Sequence, residues 1–229
     1  MYNVFGFVNT LFIFISLIGV FSQLQKIRLR KHSGSVGRAS ALISLNQFCM
    51  SFLAYLAFFV YGYSIVPFNH YIVWPRLAAS TLVLWILFEI WHDRKDPHSS
   101  GVLISATVIF TCGLIGLSFG HSYLDQSKHI STGLILIVTV LLAQGYGHQI
   151  KIILNAGDTG AVDIKMSQFI LLMDISTIAF ALSIGWADGW PLFTLAVVSA
   201  STKLIIMYLF RWVRVSNRAK LRRQAWELT

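Results

Sequence analysis

The sequence predicts an all-α integral membrane protein. Seven transmembrane helices are expected as two parallel three-helix repeats joined by a linker helix, with the N-terminus outside and the C-terminus cytoplasmic. Three observations predict this. The chain of 229 residues is 56% hydrophobic and only 12% charged, with a mean hydropathy of +0.68, against about 25% charge in an ordinary soluble domain. Seven windows, at roughly 3–24, 41–63, 71–91, 102–120, 131–153, 167–186 and 190–212, hold the roughly 20 apolar residues that a 30 Å hydrocarbon core requires. A stretch near the first window, "SQLQKIRLRKHSGSVG" from Ser22 to Gly37, has an echo in "HQIKIILNAGDTGAVD" from His148 to Asp163.

The first window lacks a basic leader and a small-residue cleavage site, so it is expected to stay as a helix. Orientation follows from the positive-inside rule. Lys26, Arg28, Arg30, Lys31 and Arg38 follow span one, Arg94 and Lys95 follow span three, Lys151 and Lys165 follow span five, and Arg211 to Arg223 follow span seven, while Lys128 alone lies in a loop on the other side. The net charge of +9 is thereby assigned to topology and to the anionic faces of the lipid bilayer, and nucleic-acid binding is not expected. Cys49 and Cys112 fall within spans and do not indicate a redox compartment. The absence of any Asn-x-Ser/Thr acceptor fits a bacterial inner membrane.

Aligned at an offset of 126, the two stretches pair Gln23 with Gln149, Leu24 with Ile150, Ile27 with Ile153, Ser33 with Thr159, Gly34 with Gly160 and Val36 with Val162. Both lie where an odd-numbered span leaves the membrane on its basic side. The division is therefore residues 1–92 as the first repeat, 93–128 as the linker helix, 129–213 as the second repeat and 214–229 as a basic cytoplasmic tail. An odd linker helix is what allows two repeats to run parallel.

In this plan and these stretches the chain resembles the PQ-loop family, which includes SWEET sugar transporters, cystinosin and, more distantly, the KDEL receptors. The family's Pro-Gln pairs read here as Ser22-Gln23 and His148-Gln149, so both prolines are replaced. The resemblance implies a transporter working by alternating access, with the Gln23 and Gln149 segments as inner hinges. Gly145 and Gly147 are placed to loosen span five in the absence of the proline. It also implies a small-molecule substrate, amino-acid-like or another metabolite, with protons as a candidate co-substrate. A SWEET-like sugar uniporter and a ligand receptor that does not transport are the alternatives, and a homo-oligomer is compatible with each.

Ionisable groups inside a bilayer cost at least about 2.5 kcal/mol each, so those present mark function or a compensated structural role. Asp174 in span six and Lys203 in span seven fall at one depth, either as a working ion pair or as a permanent structural one. As a working pair, Asp174 would be the coupling or amine-binding carboxylate, with Lys203 its partner or the anchor of a substrate carboxylate. Arg76, near the outer start of span three, suits snorkelling to the surface or an outer carboxylate site. Ser40, Ser44, Gln47, Ser51 and Tyr55 recur at helical spacing along one face of span two, with Asn46 beside them. Ser167, Asp174 and Thr177 do so in span six. These stripes either line a central cavity or glue helices together. The offset places Phe48 opposite Asp174, so Asn46 and Gln47 are expected at its height. Trp85 and Tyr208 are candidate stacking faces, and Trp186, Trp190 and Trp212 candidate interface anchors. No metalloprotease, nucleophile-elbow, phosphate-loop or Cys-x-x-Cys motif occurs, and His92 and His98 lack further ligand partners. An enzyme, a cofactor and a metal site are therefore not expected.

Overall fold

The structure, a computed structural model, describes residues 2–32, 40–64, 68, 70–119 and 129–227. Ser33, Gly34, Val36, Arg38 and Lys128 lie outside the described residues. Eight helices occur among those described: α1 (Tyr2–His32), α2 (Leu45–Ser64), α3 (His70–Arg94), α4 (Pro97–Phe119), α5 (His129–Ala156), α6 (Ile164–Ile184), α7 (Trp186–Val215) and α8 (Asn217–Glu227). The first seven are long and apolar enough to cross a membrane.

Helix ends follow local chemistry. Ser44 caps α2, its Oγ accepting from the Gln47 amide at 3.0 Å. Asp163 caps α6 through the Lys165 amide at 3.3 Å. Asp96 caps α4, accepting from the Ser99 amide at 3.1 Å, and Pro97 occupies the first helical position, where a missing N–H costs nothing. α6 and α7 are joined by Gly185 alone, at φ 97° and ψ 150°, a conformation only glycine adopts without strain.

Two sequence expectations are corrected here. The helix of span one continues past residue 24, so Lys26, Arg28 and Lys31 are helical rather than in a loop. Its 31 residues reach about 46 Å, well beyond a 30 Å core. Ser40 and Ser44 precede α2 instead of extending its polar face; Ser40 is held by the end of α3 and Ser44 by Gln149 and His148 of α5. Asp93 Oδ2 accepts from Ser40 N at 2.8 Å and Oγ at 2.6 Å, and Arg94 donates to Ser40 O at 2.7 Å and Ile43 O at 2.5 Å. Beyond the spans, the basic tail forms α8, pinned by Arg223 donating to Gly157 O and Val213 O, both at 3.1 Å. Arg222 donates to Leu154 O.

α1 packs on α3 and α6, α2 on α3, α4 and α5, α5 on α2, α7 and α8, and α6 on α1 and α7. α4 touches α2 and α3 and buries only 11% of its most apolar window, against 50% for α2. It therefore lies at the rim. One apolar cluster joins α1, α2, α3 and α6 through residues such as Leu24, Phe48, Ile86 and Ile170. A second joins α5 and α7 through Ile153, Ile206 and Phe210.

Glycines mark close helix crossings, among them those of α1 with α6 and of α5 with α2. A Cβ on Gly19 of α1 would sit 3.0 Å from Met166 Cα of α6, and one on Gly145 of α5 would sit 3.1 Å from Gln47 Cα of α2. Glycine is present at both because a methyl group would push the helices apart. Gly145 therefore serves close approach. Around Gly147 a Cβ would meet nothing within 4 Å, so no packing requirement explains glycine there.

Candidate functional site

A cavity of about 600 Å³ lies at the centre of the bundle, walled by α1, α2, α3, α5, α6 and α7 and not by α4. Its lining comes from the N-terminal parts of the odd helices and the C-terminal parts of α2 and α6. It therefore occupies the half of the bundle opposite the basic end and reaches its middle. Polar groups are few: Asn9, Thr10, Tyr55, Arg76, Tyr146, Asp174, Thr177 and Ser199 face it among many apolar side chains. A few convergent polar groups in a largely apolar hollow is the usual composition of a small-molecule site.

The charges are arranged vertically. Arg76 enters from the wall, its guanidinium 5.4 Å from the Tyr55 ring centroid and 5.3 Å from that of Phe58. Asp174, 2% exposed, forms part of the floor beside Ser199, and its Oδ2 has no hydrogen-bond partner among the described residues. Below it, Lys203 is 1% exposed, its ammonium 2.9 Å from the centroid of the Tyr146 ring. The anticipated Asp174–Lys203 ion pair is not formed: among the described residues the ion pairs of 4.0 Å or less join Glu89 to Arg28 and to Lys31. The two groups interact through the field alone, and the aromatic face of Tyr146 takes the ammonium. Gln47 and Ser51 stand beside Tyr146, yet Gln47 Oε1 and Ser51 Oγ also lack a partner of good geometry. Three buried acceptors thus surround one aromatic floor, and each would cost about 1–3 kcal/mol if left dry and unpaired.

Between this floor and the basic end the bundle is shut by two glutamines. Gln23 of α1 donates to Ala161 O at 2.8 Å and accepts from Asp163 N at 2.7 Å. Gln149 of α5 donates to Leu42 O at 2.9 Å and accepts from Ser44 N at 2.6 Å. Each amide clamps the three residues that lead into a distant helix, and each lies one turn beyond the glycine of a close crossing. The preceding side chains repeat the pattern, Ser22 donating to the Asp163 carboxylate at 2.5 Å and His148 Nδ1 lying 2.8 Å from Ser44 Oγ. Both glutamines are almost fully buried, at 1% and 0% exposure.

No family model, curated protein or solved structure matches the chain.

The cavity brings together Tyr55, Arg76, Asp174 and Thr177 from the residues singled out in the sequence. Arg76 faces inward instead of snorkelling. Gln47 is buried beneath the floor, and Asn46 is half-buried away from the lining. Trp85 is 43% exposed on the outside of α3, where the Arg28 guanidinium lies 4.3 Å from its ring, so it does not line the cavity. Tyr208 is likewise exposed on the outside of the bundle, away from the cavity. Tyr55 and Asp174 each lie eleven residues past a helix cap (44 to 55, 163 to 174), whereas the sequence offset set Asp174 against Phe48. Four polar lining residues were missed, among them Thr10 beside Asn9. Asn9, whose Oδ1 accepts from Ser176 at 3.0 Å and Thr177 at 2.8 Å, was visible as a polar interruption of "FGFVNTLFIF". Tyr146 was hidden between the glycines of "QGYGHQ", and Ser199 was one hydroxyl among several in "VVSASTK".

Proposed function

We propose that this chain is a membrane transporter of a small polar solute, working by alternating access on a PQ-loop-like plan of two three-helix repeats and a linker. The basic end would face the cytoplasm and the N-terminus the outside. The observation that carries the proposal is a central cavity walled by the six repeat helices and stopped at one end by two equivalent glutamine clamps. Each clamp spans the two halves, so releasing both would open the opposite end.

The repeat plan draws support from the helix contacts. Exchanging α1 with α5, α2 with α6 and α3 with α7 turns α1–α3 into α5–α7, α2–α3 into α6–α7 and α1–α6 into α2–α5, all of which occur. Trp74-Pro75 and Trp190-Pro191 add a further correspondence, each proline being the sixth residue of its helix (70 to 75, 186 to 191). A rocking motion about such an axis is the usual route to alternating access. Asp174 would hold a proton or a donor group of the solute, Tyr55 and Thr177 would hydrogen-bond it, and Gln23 and Gln149 would act as latches.

The test is uptake into proteoliposomes with an imposed pH gradient, screening amino acids and sugars, with Asp174→Asn beside the wild type. Flux that follows the gradient and is lost in the variant is the expected result. Gradient-independent sugar flux surviving the substitution would make the protein a SWEET-like uniporter. Tight binding without flux would make it a receptor.

A further inference from the structure

The Arg76 guanidinium has no hydrogen-bond or ion-pair partner among the described residues. Its surroundings on the wall include the rings of Tyr55 and Phe58, whose centroids lie 5.4 and 5.3 Å from the guanidinium carbon, and neither ring offers a carboxylate to its N–H groups. Five donors in a fixed planar fork are left facing the cavity. An arginine is always charged, and an unpaired one inside a membrane protein is expensive unless something completes it. The Asp174 carboxylate is near enough to act on it through the field but does not pair with it. Lys203, lower down, brings a second formal positive charge within the field of that same carboxylate, so two cations share one anion. The rest of the lining is mainly apolar and aromatic, including Phe7, Ile13, Leu142, Ile170 and Phe180. Its other polar groups are Asn9, Thr10, Tyr146, Thr177 and Ser199.

Resting on the cavity being the solute site proposed above, we infer that its occupant is an organic carboxylate: the Arg76 fork holds the carboxylate, and an apolar body fills the hollow beneath. The fork matches a carboxylate in bidentate geometry. The ligand's single negative charge also balances the excess cation of the core. Arg76, and not Lys203, is then the carboxylate anchor, because Lys203 lies under the floor with its ammonium against Tyr146.

The experiment is fluorescence-monitored binding of naphthylacetate, its amide and naphthylethylamine to the full chain in nanodiscs. Naphthylacetate should bind about 10- to 100-fold more tightly than the amide, which has the same shape without the charge. Arg76→Gln should remove that preference, and Arg76→Lys should keep part of it because the charge stays and the fork is lost. Asp174→Asn should tighten carboxylate binding, since it deletes the one competing anion. That direction would not follow if Asp174 only supported the fold. Equal or better binding of the amide or the amine, a preference unaffected by Arg76→Gln, or no binding of any probe at millimolar concentration would overturn the inference. Carboxylate binding without flux in proteoliposomes would sink the transport proposal and leave this one standing. Flux of a neutral solute that ignores Arg76 would do the reverse.

Discussion

Replacing Gln23 by alanine removes a side chain that satisfies two backbone groups of the opposite half, Ala161 O at 2.8 Å and Asp163 N at 2.7 Å. Stranded and dry, each would cost about 1–3 kcal/mol. At the end of the bundle water can reach them once the seal loosens, so a total near 1–3 kcal/mol is the reasonable figure. That corresponds to about a 5- to 150-fold rise in the open population. Hydrogen–deuterium exchange reads it directly, because the Asp163 amide is itself one of the bonded donors. Peptides spanning 159–165 should exchange faster by that factor. If the two clamps release together, as alternating access requires, peptides spanning 41–47 should accelerate too, although their own Gln149 is untouched. Gln149→Ala should give the mirror result, with Ser44 N as the local reporter. Acceleration confined to the segment facing the mutated glutamine would refute a shared gate and leave two independent loop anchors.

The glycine explanation predicts opposite signs at Gly19 and Gly147. Gly19→Ala should lower the melting temperature, since its Cβ would lie 2.9 Å from Phe169 Cβ and 3.0 Å from Met166 Cα, an overpacking cost of about 1–3 kcal/mol. Gly147→Ala, with open space around it, should be neutral or stabilising by up to about 1 kcal/mol through helix propensity; the reverse order in a thermal-shift measurement would rule out close approach as the reason for Gly19. At the α4 cap, the Ser99 hydroxyl and amide beside Asp96 hold its carboxyl below the usual carboxylate range. A value depressed in the folded state means that the cap's contribution is present above about pH 4 and is lost as the pH falls through the lowered value. Asp96→Asn should therefore flatten the acid limb of the melting profile below about pH 4, and an unchanged limb would show that the cap carries no pH-dependent stability.

The spans were legible because burial in hydrocarbon demands long apolar runs, and nothing in the neighbouring chemistry competes with that signal. The site was legible only in part. Asp174, Arg76, Tyr55 and Thr177 stood out as polar groups in apolar helices, but their mutual register did not. The sequence alignment carried the offset of 126 from Gln23 and Gln149 straight through the connecting loops. The chain from glutamine to cap is longer in one case than in the other (23 to 44, 149 to 163), so an alignment of the proposed repeats on their caps has an offset of 119 and sets Asp174 against Tyr55 instead of Phe48. The same difference concealed the correspondence of Trp74-Pro75 with Trp190-Pro191. Lys203 could not be placed from depth alone, because an aromatic ring can receive an ammonium as well as a carboxylate can. The helix in the tail was missed because its polar residues carry no hydropathy signal, although "RAKLRRQAWE" is rich in strong helix formers.

Both glutamines address main-chain atoms only. Substitutions at Ala161, Leu42 or their neighbours that leave the chain path unchanged therefore do not erase the bonds. Each three-helix segment also contains one clamping amide and one clampable turn of the same spacing, and α4 takes part in neither. The α1–α3 and α5–α7 segments are thereby tied together in both directions, and parting them at this end must break four bonds to the main chain.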